Sequence, residues 1–275
     1  MKKREDISLD NYINFYDLER AKRYDELIKN QKKSSDYRTA TGKNDTLYKL
    51  VKNFIDDHKL NDKKILEIGS SGGHFQNIVN DYTGVDVSAS LEKYYHKSYY
   101  AIKDNQYPFE DDTFDAIFTL DTFEHIPDIN KALIELVRVL KPGGLILFKP
   151  AWQCRSWVAD GYNIRPYSDF SIVGKAIKLS IIFRDNIIYR SLKIFPKRIF
   201  RHIFFLLGFK PSQLQYRRIK PNYTYFWTSD SDACNSIDGH DCILWFMSKN
   251  LKCINYPNIL KQLLFRSNEL IIQKI

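Results

Sequence analysis

The run Lys64-Ile65-Leu66-Glu67-Ile68, followed at once by Gly69-Ser70-Ser71-Gly72-Gly73, constrains the fold most. A short apolar run ending in glycines is a buried strand that must turn sharply at its end. Such a turn lets the backbone approach a ligand closely, and a helix opening after it offers unpaired amides. The glycines stand at 69, 72 and 73 rather than in a GxGxxG array, which weighs against a dinucleotide site. Strand and helix patterns alternate around this unit. Leu47, Leu50, Val51, Phe54, Ile55 and His58 recur at helical spacing. A helix carrying Phe75, Ile78 and Val79 inward is expected after the glycine turn. Tyr82 to Val87 reads as a second strand ending at Asp86, Tyr99 to Lys103 as a short third, Phe114 to Leu120 as a fourth and Leu145 to Phe148 as a fifth. Between the last two, Asp128 can cap a helix built on Ile129, Ala132, Leu133, Leu136 and Leu140, which Lys141-Pro142-Gly143-Gly144 stops. The alternation predicts an α/β fold with a mostly parallel sheet and helices on both faces.

Charge divides the chain unevenly. The net charge of the 275 residues is +9. Between Ser171 and Pro221 there are 12 Lys or Arg against a single acid, Asp185, so one basic region sits on a nearly neutral protein. Within 172–209 clusters of Ile, Phe and Leu alternate with these cations, and Pro196 is expected to divide the stretch into two helices. Cationic helices with an apolar face suit peripheral contact with an anionic membrane; packing on the core or on a second copy is the alternative. The four cysteines form no CxxC pair, so free thiols are expected rather than a zinc site or disulfides. No apolar segment follows Met1-Lys2-Lys3-Arg4, and no run is long enough to span a bilayer. The expected location is cytoplasmic, with contact at the inner face of the membrane.

Gly84-Val85-Asp86 places a carboxylate at the end of the second strand, 19 residues after Glu67. There it can accept both hydroxyls of a ribose. Further on come Asp104-Asn105-Gln106-Tyr107-Pro108-Phe109, Glu124-His125-Ile126-Pro127-Asp128 and Arg138-Val139-Leu140-Lys141-Pro142-Gly143-Gly144. From Ile65 to Phe148 this ordered series resembles the methyltransferase domain of the type 11 group of class I S-adenosylmethionine-dependent enzymes. The resemblance implies a Rossmann-like, seven-stranded, mostly parallel sheet with one antiparallel strand near its edge. It implies S-adenosylmethionine as cofactor. Glu67, Gly69, Ser70, Ser71 and Gly73 would cradle its methionine half, and Asp86, with Val87 beside it, would bind the ribose. Asp104 or Asn105 would face the adenine amino group, and Leu120 and Asp121 would line the pocket. Two departures show: Ser71 replaces the middle glycine of the usual turn, and the Asp104-to-Pro108 spacing is one residue short. The C-terminal half is similar to methyltransferases of bacterial surface-polysaccharide synthesis.

His125 is the candidate catalytic base for a hydroxyl acceptor; ordering the loop before the next helix is the other role open to it. Asp230 and Asp232 form a DxD pattern, but the calcium-loop spacing is not met and no metal is expected. The organisation read from the chain is an N-terminal pair of helices or lid over 1–45, a cofactor-binding core over 46–151, a basic aromatic insertion that binds acceptor over 152–228, and sheet closure over 229–275. The expected partner is a small-molecule or glycan acceptor, O-methylated, and lipid-linked if the membrane contact holds. A cofactor-binding scaffold without catalysis, a glycosyltransferase using Asp230 and Asp232, and a nucleic-acid methyltransferase are the alternatives. Nucleic acid is disfavoured because the basic segment is rich in Ile, Phe and Leu rather than in exposed stacking aromatics.

Overall fold

A computed structural model describes residues 8–20, 22, 25, 46–104, 106–225 and 227–275. Its central sheet uses strands β1 (Ile65–Ile68), β2 (Tyr82–Asp86), β3 (Ser98–Ala101), β4 (Phe114–Leu120), β5 (Leu140–Lys149), β8 (Leu251–Cys253) and β9 (Leu270–Lys274). Among the described residues these form one seven-stranded sheet in the order β3-β2-β1-β4-β5-β9-β8. β1 to β5 pair in parallel, and β9 runs antiparallel to both β5 and β8. A separate antiparallel ribbon joins β6 (Tyr216–Arg218) to β7 (Asn235–Ile237).

Strand alternation decides which face each side chain joins. Ile65, Ala116, Phe118, Leu145 and Leu147 pack with Val51, Phe54 and Ile55 of helix α2 (Thr46–Asp57). Leu66, Ile68, Ile117, Ile146 and Phe148 point the other way. They meet Leu133 and Leu136 of α3 (Ile129–Val139) and Trp245 and Phe246 of α6 (Gly239–Ser248). Each large side chain so buried contributes roughly 1.5–3 kcal/mol. Asp128 caps α3 as its sequence requires, accepting from the Lys131 amide at 3.1 Å. All four cysteines are buried free thiols.

Three expectations fail. Leu140, expected on α3, and Lys141-Pro142-Gly143-Gly144, expected to stop it, already belong to β5 (Leu140–Lys149). Residues after the glycine turn form a series of turns rather than a helix. Gly73 has φ +74°, and the Gln76 amide is drawn across to Tyr94 O and His96 N, which holds the segment open. Ile78 and Val79 still point inward. Pro196 does not divide the basic stretch either. The break comes earlier, between α4 (Ile172–Arg184) and α5 (Ile187–Leu206), where the Asn186 side chain caps the second helix at the amides of Ile188 and Tyr189. Pro196 lies inside α5. The carbonyl of Leu192 loses its donor on an exposed stretch, where water can serve instead.

The hairpin α4–α5 is inverted relative to an ordinary surface helix. The buried residues of α5 are Arg198 and His202, while Leu192, Phe200, Ile203 and Leu206 face outward. Arg198 anchors it to Asp238 and to the carbonyls of Leu263 and Phe265. No described helix is long and apolar enough to cross a membrane. The N-terminal helix α1 (Leu9–Asn14), continued by a π-helical turn over Phe15–Arg20, lies across the C-terminal edge of the sheet. Asp17 accepts from Ser88 Oγ and the Ser90 amide, and Tyr16 donates to Asp232.

Candidate active site

The turn after β1 carries three left-handed residues, Gly69 (φ +75°), Ser71 (+47°) and Gly73 (+74°). At Gly69 the glycine is obligatory: a Cβ there would lie 2.1 Å from Thr122 Oγ1. The amides of Gly69 and Ser70 donate to Val85 O at 2.9 and 3.1 Å, stitching the turn to β2. The Ser71 amide donates to Asp86 Oδ2 at 2.8 Å, and Asp86 Oδ1 accepts from Val87 N at 2.8 Å and Ser88 N at 3.3 Å. The half-buried Asp86 carboxylate is thus fixed at the end of β2, facing the turn. That is an acceptor set suited to a ribose diol, and the turn offers a close-approach backbone beside it. These residues fit an adenosyl cofactor.

The other cofactor candidates fall as follows. Glu67 is buried beneath the turn, where Tyr82 donates to its carboxylate, and burial pushes that carboxyl well above its usual range. It holds the turn from below rather than facing solvent. Ser70 is buried too, bonded by Tyr95 Oη at 2.7 Å. Val87 is half-buried next to Asp86. Leu120 ends β4, beside the end of β1, and Asp121 follows it with φ +46° and Lys149 Nζ 3.6 Å from its carboxylate. Asp104 is exposed with φ +57°, two residues beyond Ile102, whose amide donates to Asp86 O. Asn105 lies outside the described residues.

His125 is buried in the loop between β4 and α3. Its Nε2 lies 3.5 Å from Glu124 Oε1 and its Nδ1 lies 3.5 Å from Asp232 Oδ2. Burial pushes the Glu124 carboxyl up to about 7, against the pull of His125. Among the described residues, neither Glu124 oxygen has a hydrogen-bond partner. Tyr16 Oη donates to Asp232 Oδ2 at 2.7 Å, and its ring meets the His125 ring edge-on. Glu124, His125 and Asp230 also present polar atoms within 4.8 Å of one another, a spacing that a cation could bridge. Sequence reasoning missed Tyr16 and the pairing of Asp232 with His125. The spacing of Tyr12, Phe15 and Tyr16 on one helical face was the available signal for the first. Nothing local signals the second.

Comparison with known proteins meets this geometry at the same residues. A family model described as a methyltransferase domain matches residues 66–148. Over these residues the chain is similar to a methyltransferase domain, with S-adenosylmethionine as its cofactor. Tocopherol O-methyltransferase of Arabidopsis thaliana is 34% identical over 91 residues, covering 33% of this chain and 26% of its own length. Phosphoethanolamine N-methyltransferase 2 of Caenorhabditis elegans is 32% identical over 114 residues, 36% of this chain and 26% of its own. Malonyl-[acyl-carrier protein] O-methyltransferase 1 of Coxiella burnetii is 29% identical over 132 residues, 44% of this chain and 47% of its own. The chain therefore spans less than half the length of these relatives. Among solved structures, the PH0226 protein of Pyrococcus horikoshii superposes on 53% of this chain and 86% of its own with a TM-score of 0.36 and 18% identity. The order of the sheet carries the fold independently of that superposition.

Proposed function

We propose that the chain is an S-adenosylmethionine-dependent methyltransferase that methylates a hydroxyl oxygen of a sugar-containing acceptor, presented as a lipid-linked glycan at the cytoplasmic face of a membrane. The observation that carries the reaction class is His125, with a carboxylate opposite each ring nitrogen, in the loop that follows β4. The cofactor supplies an electrophilic methyl on a sulfonium. The Gly69–Gly73 turn and Asp86 hold and orient it. His125 accepts the acceptor hydroxyl's proton as the oxygen attacks, and positioning contributes much of the acceleration. Asp232, itself held by Tyr16, lies 3.5 Å from the ring Nδ1. Glu124, whose carboxyl titrates near neutrality, can take the proton on. Tyr16, from the turn that continues the N-terminal helix, packs edge-on against the His125 ring.

The acceptor assignment draws support from the insertion. Ile172 is 87% exposed, Leu192 72% and Phe183 69%, and the segment is strongly cationic. A broad apolar face punctuated by Lys and Arg matches the headgroup layer of an anionic bilayer. The sugar is the expectation drawn from the sequence of the C-terminal half.

Three measurements test the reading. Labelled S-adenosylmethionine is incubated with the protein and a bacterial extract fractionated into glycan, lipid, nucleic acid and protein. Label in the glycolipid fraction is expected; label in protein or nucleic acid refutes the acceptor. The same reaction in excess chelator is expected to retain its rate. A loss restored by a divalent ion would transfer the role of His125 to a cation held with Glu124 and Asp230. Flotation with anionic vesicles, weakening as salt rises, is expected for the hairpin. Protein that stays at the bottom at low salt, or that dimerises through this face, refutes the membrane placement.

A further inference from the structure

Between the hairpin α4–α5 and the ribbon β6–β7 lies a cavity of about 370 Å³. The methyl-transfer chemistry does not use it. Arg155, Arg184, Arg190, Lys193, Lys197 and Arg217 all reach its wall. Part of this charge is neutralised. Asp185 lies 2.9 Å from Arg155 Nε and 3.7 Å from Arg190. The further cations on the wall, Arg198 and Arg201, are taken by Asp238 and Asp241. Arg184, Lys193, Lys197 and Arg217 have no carboxylate partner among the described residues.

Arg184, Lys193, Lys197 and Arg217 are all exposed, and neighbouring groups hold two of them, Arg184 and Arg217, against the wall. Arg184 and Arg155 both lie over the Trp157 ring, at 4.7 and 5.9 Å. Arg190 donates to Gln153 Oε1 at 2.9 Å, and Arg217 to Cys154 O at 3.5 Å. Partial desolvation lowers the pKa of Arg217, and the nearby Arg155 and Arg184 lower it further. Desolvation followed by Arg155 does the same to Arg190. Like charges fixed at close range on a partly desolvated wall repel one another until an anion occupies the space between them.

We propose that this cavity is an anion site for a phosphate or diphosphate group. Converging guanidinium forks match tetrahedral phosphate oxygens, and the surplus of charge calls for a compact multivalent anion rather than a single carboxylate. The volume is at the small end of ligand pockets. Its position is also informative. The Tyr216–Ile237 and Arg217–Ser236 pairs of the ribbon line the cavity. The neighbouring Arg218–Asn235 pair turns to the catalytic loop, where Asn235 Nδ2 donates to Phe123 O and Ile126 O. One ribbon therefore separates the cavity from the loop that carries His125, and the exposed apolar hairpin forms the cavity's outer wall. A phosphate there would be that of the lipid-linked acceptor; this attribution rests on the function proposed above, whereas anion binding itself does not.

The test uses the full chain and inorganic pyrophosphate, at low salt, by calorimetry and thermal shift. Binding that weakens as salt rises is expected. The paired change Arg184→Gln with Arg217→Gln should lower pyrophosphate affinity roughly tenfold or more. It should leave S-adenosylhomocysteine affinity unchanged and the unliganded Tm unchanged or higher, because repulsion is relieved. No pyrophosphate binding at millimolar concentration overturns the proposal. So does equal affinity in the paired variant, or a Tm loss that marks the cluster as structural. Neutral vesicles carrying a prenyl diphosphate then assign the source. Co-flotation that pyrophosphate competes away makes the group lipid-borne, and binding of pyrophosphate alone makes the ligand a free anion. Failure of methyl transfer to glycolipid would leave the pyrophosphate result intact, so the two readings fail separately.

Discussion

Replacing Gly69 by alanine strikes the cofactor turn at its tightest point. The new Cβ would meet Thr122 Oγ1 at 2.1 Å, Thr122 Cγ2 at 2.4 Å and Thr122 Cβ at 2.8 Å. The backbone there is left-handed at φ +75°, which costs an L-residue roughly 1–2 kcal/mol. Overpacking costs about 1–3 kcal/mol more. Thr122 cannot swing aside freely, because its hydroxyl donates to Leu120 O at 2.8 Å. The expected loss of folding stability is therefore roughly 2–5 kcal/mol, read by denaturant unfolding. The turn must also shift away from β4, which breaks the 2.8 Å bond between Ser71 N and Asp86 and weakens S-adenosylhomocysteine binding. A cycle with Thr122→Gly isolates the packing component, since the left-handed cost stays in the double variant while the clash is removed. A coupling of about 1–3 kcal/mol is expected. A Gly69→Ala protein within about 0.5 kcal/mol of wild type, with full cofactor affinity, would refute this account of the turn.

Other perturbations separate the roles assigned above. His125→Ala should lower turnover by roughly 10²–10⁴-fold and leave S-adenosylhomocysteine affinity nearly unchanged; rates within a few-fold of wild type would make His125 an ordering residue. Arg198→Ala removes the buried guanidinium from Asp238 and from the Leu263 carbonyl at 2.9 Å, and should cost roughly 3–5 kcal/mol in denaturant unfolding. Burial, followed by Arg198, His202 and Arg201, lowers His240 to about 3. Its folded pKa lies below its unfolded one, so the unfolded chain binds the extra proton and stability falls as the pH drops from about 6.5 toward 3. A His240→Asn variant should show a shallower loss of Tm across that window, and an unchanged acid limb would contradict the assignment.

Much of the fold is local in the sequence, and those parts were legible. The strands β1 and β4 and the Leu145 to Phe148 part of β5 are apolar runs bounded by turn residues, and Asp128 stands where a cap must stand. The place of Asp86 at the end of β2 was legible because only the strand-turn-strand unit separates it from Glu67. The segment after Gly73 was misread because its apolar residues do point inward, yet Gln76 spends its side chain on Tyr94 and His96 instead of on a helix. Pro196 was misread because position alone does not reveal whether the carbonyl it orphans is reachable by water. The insertion hid its inverted face, since a period of 3.6 identifies an apolar stripe but not the direction in which that stripe points. At the site, Glu124 is adjacent to His125, but Asp232 and Tyr16 are each more than a hundred residues away, and only the folded sheet edge brings them together.

The central claim is that the β1 turn and Asp86 hold S-adenosylmethionine, and calorimetry with S-adenosylhomocysteine tests it most directly. The wild-type protein should bind one equivalent per chain. Asp86→Ala, which removes the acceptors for both ribose hydroxyls, should weaken binding by roughly 3 kcal/mol, about a hundredfold. An unaltered affinity in the variant would remove the ribose assignment, and a wild-type protein that takes up no ligand at millimolar concentration would contradict the account as a whole.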